Sequence, residues 1–231
     1  MNRINYQKEL DKVLDSLGER TPRLFLHSCC APCSSYCLEY LCQYFAITVF
    51  YFNPNISQES EYKKRVEEQK RLIARYNEEQ KGHPIAVIEG DYEPVRFFDM
   101  AKGYEDCPEG GERCFRCFDL RLRETAIRAK ERGYDYFATT LTISPLKNAD
   151  KLNEIGQALA IEYGVSWLPS DFKKRADTSV PSSYQQSMIC IGRIIADVHS
   201  PRRRQNCDDR IWQIRCNVQQ RGIYILRELE N

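Results

Sequence analysis

The sequence predicts an α/β fold: a mostly parallel sheet of about five strands with helices on both faces, followed by a C-terminal segment of different character. Three observations predict it. Short β-prone apolar runs alternate with longer runs at helical spacing. Gly, Pro and Asn punctuate the junctions between them. No internal repeat or low-complexity linker interrupts the alternation.

Tyr6 to Leu17 places apolar residues at helical spacing and reads as an amphipathic helix. Arg23 to Ser28 is a short apolar strand. Pro32 suits the first turn of a helix that runs to about Tyr44. Ile47 to Phe52 is strongly β-prone and is closed by Asn53-Pro54-Asn55. Glu59 to Glu79 is a long charged helix ending near Lys81-Gly82. Ile85 to Ile88 is a third strand, closed by Gly90-Asp91, and Pro94 to Ala101 a short helix. Gly103 to Cys117 reads as loop. Phe118 to Arg132 is a helix stopped by Gly133. Tyr136 to Leu141 is a fourth strand, Ala149 to Tyr163 a helix ended by Gly164, and Val165 to Leu168 a fifth strand. The order is that of a Rossmann-like (HUP-like) sheet. In such sheets sites form at the carboxyl ends of the strands. Ser28 to Cys30, Asn53 to Asn55, Gly90-Asp91 and Thr142 to Lys147 are therefore expected to converge.

The length of 231 residues allows one sizeable core or two small ones. A net charge of +1 provides no global field toward nucleic acid or membrane, so any such contact must be local. No apolar run approaches the roughly 20 residues of a membrane span. The polar N-terminus has no signal-peptide core, and the expectation is a cytoplasmic protein. Eleven cysteines in a reducing compartment point to metal binding or redox chemistry rather than structural disulfides. Cys37 and Cys42 are the exceptions: among Leu38 and Leu41 they read as small buried apolar residues.

The chemistry concentrates in two cysteine clusters. Cys29, Cys30 and Cys33 follow the first strand. Adjacent thiols bridge each other badly, but they can point at one soft metal centre. Cys114 and Cys117 form a second C-x-x-C, and both clusters adjoin a helix start, whose amides stabilise negative sulfur. Four thiolates from two separated pairs suit a [4Fe–4S] cluster or a structural zinc. A thiol/disulfide redox role is the third option. The position at a strand end, where substrates bind, favours the cluster.

Other residues carry a plain reading beside a functional one. His27 reads as a packed, hydrogen-bonded histidine rather than a ligand. Cys107 is a spare ligand or a free loop thiol. Asp91 and Asp106 are iron ligands or turn formers. Thr139, Thr140 and Thr142 place hydroxyls at the sheet edge or merely favour the strand. The Ser144 to Asn148 turn, with Lys147, is a phosphate site or an ordinary helix start. No G-x-G-x-x-G run argues for flavin or nicotinamide.

Taken in order, four motifs resemble the QueH family of epoxyqueuosine reductases. They are Cys29-Cys30-Ala31-Pro32-Cys33, Tyr51-Phe52-Asn53-Pro54-Asn55-Ile56, the run from Glu109 to Cys117, and the run from Thr139 to Asn148. The likeness runs from about Arg23 to Lys174. It implies an oxidoreductase that removes the epoxide oxygen from epoxyqueuosine at the wobble position of tRNA, the final step of queuosine biosynthesis. It implies a [4Fe–4S] cluster with an adjacent mononuclear iron, an external electron donor, and no cobalamin. By motif, Cys29, Cys30, Cys114 and Cys117 would hold the cluster. Cys33 is the first candidate for a further iron ligand and Asp91 a weaker one, and these two form the expected catalytic pair. Tyr51, Phe52, Phe115 and Phe118 could stack on the base, and Arg113 and Arg116 could meet phosphate or tune the cluster.

Residues 1–172 are thus expected to form the catalytic domain, and 173–231 a divergent, poorly ordered segment. Family members resemble one another there in a Tyr-x-Arg-Ser helix, a Tyr-Arg-Gln run and a Tyr-Cys-Gly-Cys ending. Here Tyr184 to Ser187 and Arg204 to Cys207 are eroded echoes, and Asp208-Asp209 follow Cys207. Arg202 to Arg204 could touch tRNA, although a charge run is more often a solvated face. Two competing functions are a zinc-stabilised tRNA-binding protein and an ATP-using tRNA-modifying enzyme. The latter needs a Ser-Gly-Gly-x-Asp loop after the first strand, where this chain has cysteines.

Overall fold

The computed structural model describes residues 4–80 and 82–174. The expectations for Tyr184 to Ser187 and for Arg202 to Cys207 lie outside the described residues. Five strands, β1 (Arg23–His27), β2 (Ala46–Tyr51), β3 (Ala86–Glu89), β4 (Tyr136–Thr139) and β5 (Ser166–Trp167), form one sheet in the order β3-β2-β1-β4-β5. Every pairing is parallel. Among the described residues six α-helices accompany them: α1 (Tyr6–Leu17), α2 (Ala31–Leu41), α3 (Glu59–Glu79), α4 (Pro94–Ala101), α5 (Glu112–Glu131) and α6 (Ala149–Tyr163). The strand order reverses at β1, which pairs with β2 on one side and β4 on the other. Such a switch point opens a crevice at the carboxyl edge.

Strand alternation divides the core. Phe25, Phe50, Phe137 and Trp167 pack with Phe118, Leu122 and Leu159 of α5 and α6. Tyr51 instead packs with Tyr62 and Val66 of α3. Helix α2 packs on α3, whereas α5 packs on α4 and α6. Central strand β1 is buried from Leu24 to His27, as a parallel strand covered on both faces requires. The seam between α6 and β5 is close. A Cβ at Gly156 would overlap the Trp167 indole, whose Nε1 donates to Asn153 Oδ1 at 3.0 Å.

Helix α2 ends at Leu41 rather than near Tyr44, several strand ends shift by a residue, and two further differences bear on the site. Helix α5 begins at Glu112, so the predicted loop through Cys117 already contains the helix's first turns. Gly110, at φ 82°, makes the turn, and acidic Glu112 favours the helix N-terminus. The fourth strand stops at Thr139 and continues as a 3₁₀ turn over Thr140–Ile143. The Thr139 hydroxyl causes the break, accepting the Leu141 backbone N–H at 3.1 Å. Asn148 caps α6 by accepting from Lys151 N, and Gly164 closes that helix in the left-handed region.

Candidate metal centre

The turn from β1 into α2 carries the first three cysteines. Cys30 is the N-cap residue of α2 with extended backbone, and Pro32 occupies the first turn. No side chain caps this helix, so its first amides face the sulfur-bearing turn. The Sγ atoms of Cys29, Cys30 and Cys33 lie within 4.8 Å of one another. Cys29 and Cys30 sulfurs are 3.8 Å apart, too far for a bond, and all eight cysteines among the described residues are free thiols.

Neighbours on both sides fix this turn. The Cys29 N–H donates to Thr140 Oγ1 at 3.3 Å, and the same hydroxyl lies 3.6 Å from Cys29 Sγ. Asn53 Nδ2 donates to Ser28 O at 2.8 Å. The Ser28 and Ser34 hydroxyls lie 2.5 Å apart, and both reach Gln69 Oε1 of α3. Tyr76 Oη adds a bond to Ser35 O at 2.9 Å. These buried and partly buried bonds join the loop after β2, α3 and the 3₁₀ turn to a single cysteine loop. Losing one would strand a buried polar partner, a cost of about 1–3 kcal/mol.

His27 is fully buried and is not a member of the sulfur group. Its Nε2 lies 3.1 Å from the Phe52 carbonyl and its Nδ1 2.9 Å from Thr139 Oγ1. A carbonyl only accepts, so Nε2 carries the proton and the Thr139 hydroxyl donates to Nδ1. Burial, with Arg121 nearby, lowers its pKa to about 3, and the ring is neutral. Among the three sulfurs, Cys29 is held well below the ordinary thiol range. Hydrogen bonds from Cys30 and Cys33 do most of this, with Thr140 assisting against burial. Donation to Cys29 pushes Cys30 and Cys33 the other way. Cys29 is therefore the most readily deprotonated of the three. Burial likewise raises the Cys37 thiol, and Cys37 and Cys42 are core residues.

The second pair lies on α5. Cys114 and Cys117 occupy its first two turns, Cys114 half-buried and Cys117 buried. Again no side chain caps the helix, and the Gly110 N–H donates to Cys114 Sγ at 3.3 Å. Lys147, beyond β4, pairs with Glu109 at 3.1 Å, and Lys151 Nζ lies 5.7 Å from the Phe115 ring centroid. These contacts tie the start of α5 to the segment that follows β4. Cys29 and Cys114 both flank the core cluster containing Phe118. The two cysteines of α5 are outside the tight three-sulfur group.

The remaining sequence candidates separate. Asp91 is exposed after β3, within electrostatic reach of Tyr62 and Arg128 and outside the sulfur group. Tyr51, Phe52 and Phe118 are buried, which leaves Phe115 as the one partly exposed ring of the four proposed for stacking. Arg113 donates to Glu105 O, and Arg116 bonds and stacks on Tyr104, so both brace the loop before α5. Lys147 is paired and Asn148 is a helix cap, which fits an ordinary helix start. Sequence reasoning missed Gln69 and weighed Thr140 only as a generic hydroxyl.

Fold and site together define an α/β protein with a group of three thiols, able to hold a soft metal, at the switch point of a parallel sheet. A family model described as epoxyqueuosine reductase QueH matches residues 24–189. A Staphylococcus epidermidis protein named Epoxyqueuosine reductase QueH is 47% identical over 177 residues, covering 74% of this chain and 74% of that one. Same-named proteins of Staphylococcus aureus and Streptococcus pyogenes are 44% and 42% identical, each over 74% of this chain and over 73% and 68% of their own lengths. The chain belongs to the epoxyqueuosine reductase QueH family.

Proposed function

We propose that this chain reduces epoxyqueuosine to queuosine at the wobble position of tRNA, the final step of queuosine biosynthesis. The observation that carries the reading is the trio of thiol sulfurs within 4.8 Å at the sheet's switch point. Family membership supplies the substrate. The reaction takes two electrons and two protons, breaks both C–O bonds of the epoxide, forms an alkene and releases water.

The donor set fits an iron–sulfur group: sulfur only, largely buried, and facing two uncapped helix starts. Cys29, Cys30, Cys114 and Cys117 would hold a [4Fe–4S] cluster, with Cys33 a ligand of an adjacent mononuclear iron. Asp91, outside the three-sulfur group, is the weaker candidate. When bound, the metals supply single electrons and Lewis-acid polarisation of the epoxide oxygen. The chain's own residues do the rest. Thr140 and Gln69 hold the cysteine turn in place, and neutral His27 anchors the end of β1. Phe115 offers a partly exposed ring to a base that has left the anticodon stack. Neither flavin nor cobalamin is invoked, and electrons come from an external donor. Among the described residues no helix is long and apolar enough to cross a membrane, and tRNA modification places the work in the cytoplasm. Residues 1–172 are proposed as the catalytic domain and 173–231 as a separate segment.

The test is anaerobic incubation with epoxyqueuosine-containing tRNA and a strong one-electron reductant, followed by nucleoside analysis. Queuosine is the expected product, from a brown protein holding about five irons. A colourless protein holding one zinc would overturn the reading.

A further inference from the structure

The hydroxyl of Tyr51 is a buried donor without a partner. The side chain is fully buried at the carboxyl end of β2, and its Oη has no hydrogen-bond partner. Such a group costs about 1–3 kcal/mol and calls for an explanation. Packing does not supply one. The ring sits edge-on to Tyr62, centroids 5.4 Å apart, and a phenylalanine would make the same contact. Tyr62 Oη is already committed, donating to Tyr51 O and Gly90 O.

The surroundings of the phenol say what it faces. Residues Phe50 and His27 are register partners, so Tyr51 stands level with Ser28, where the cysteine turn begins. Its side chain lies on the face covered by α3, the helix whose Gln69 holds Ser28 and Ser34. The ionisable groups within electrostatic reach are Arg65, Tyr62 and the sulfurs of Cys30 and Cys29. Arg65 only donates, and its own field reaches both Tyr51 and Cys30. Among these ionisable neighbours, with Tyr62 Oη committed to the backbone, the acceptors are the two sulfurs. Burial pushes the Tyr51 phenol upward, so it keeps its proton.

We propose that Tyr51 is a positioning residue of the metal centre, its Oη–H reserved as a hydrogen-bond donor to the Cys30 sulfur when that sulfur holds metal. The inference rests on the thiolate-ligand reading of Cys30 proposed above. A donor to a ligand sulfur stabilises the more negative, reduced state of the centre and raises its potential. Arg65 acts in the same direction.

The experiment compares wild type, Tyr51→Phe and Tyr62→Phe, purified anaerobically with iron bound. Iron content and visible absorption are expected to be equal in wild type and Tyr51→Phe. At a fixed potential the reduced-to-oxidised ratio is expected to fall about tenfold in Tyr51→Phe, a shift of about 59 mV for one electron. Tyr62→Phe, which loses only backbone bonds, should leave the potential in place. A second readout needs no iron. In cobalt(II)-loaded protein the sulfur-to-cobalt band should move to lower energy in Tyr51→Phe and stay put in Tyr62→Phe. Unchanged potential and unchanged cobalt band in Tyr51→Phe would overturn the inference. A cobalt shift in a chain that never takes up a cluster would support it and sink the iron–sulfur reading instead.

Discussion

The two cysteine-bearing helix starts solve one problem in different ways. At the β1–α2 turn, three sulfurs are gathered by buried and partly buried bonds from the loop after β2, from α3 and from the 3₁₀ turn. At the start of α5, two sulfurs are carried by the helix itself. They are braced by a glycine turn and by the Lys147–Glu109 pair, in which the two side chains are 22% and 38% exposed. The first gathers its sulfurs before any partner is bound. The second carries its sulfurs on a more exposed support, as the ligand arm proposed above. Preorganisation therefore resides in the sheet, and adaptability in the crossover helix.

Replacing a ligand on either side gives the largest effect. Cys30→Ala and Cys117→Ala are each expected to abolish both colour and queuosine formation. Full iron and activity in Cys117→Ala would remove α5 from the site and end the comparison. A pH series tests the sheet side next. The unfolded His27 titrates near 6.5 and the folded one near 3, so below about pH 6.5 the unfolded state binds the extra proton. Its contribution is complete above that pH and is lost on acidification, at up to about 1.4 kcal/mol per pH unit. Urea unfolding at pH 7, 6 and 5 should show this slope, and His27→Gln should flatten it.

Gln69→Leu leaves the Ser28 and Ser34 hydroxyls without their shared acceptor, for an expected loss of about 1–3 kcal/mol in chemical denaturation. No loss would mean that α3 does not hold the cysteine turn. The smallest effect belongs to the α5 side. Gly110 has φ 82° with open space around its missing Cβ, so Gly110→Ala costs backbone strain alone, about 1–2 kcal/mol. A larger loss than in Gln69→Leu would invert the ranking of the two supports.

Local patterns made much of this legible before any coordinates. Apolar runs and their Gly, Pro and Asn stops marked all five strands, because each strand is short and its ends are chemically distinct. The start of α5 was hidden because Pro108, Gly110 and Gly111 are loop formers. The spacing of Phe115, Phe118 and Leu122 on one helical face was the available signal. The contacts that hold the site were not legible. Thr140 meets Cys29 across 111 positions and Gln69 meets Ser28 across 41, and no local periodicity encodes such pairs. Asp91 was attractive because it ends a strand. It follows edge strand β3, is exposed, and is outside the tight three-sulfur group.

The place of β1 in the sheet also sets a schedule. Its histidine is held by a threonine 112 positions later, and Cys29 by the residue after that threonine. During synthesis the cysteine turn emerges early, yet the strand that completes its scaffold follows only after α5 has been made. Until then Cys29 lacks the Thr140 hydroxyl that holds it. A chain cut short before β4 should therefore leave Cys29 open to alkylation.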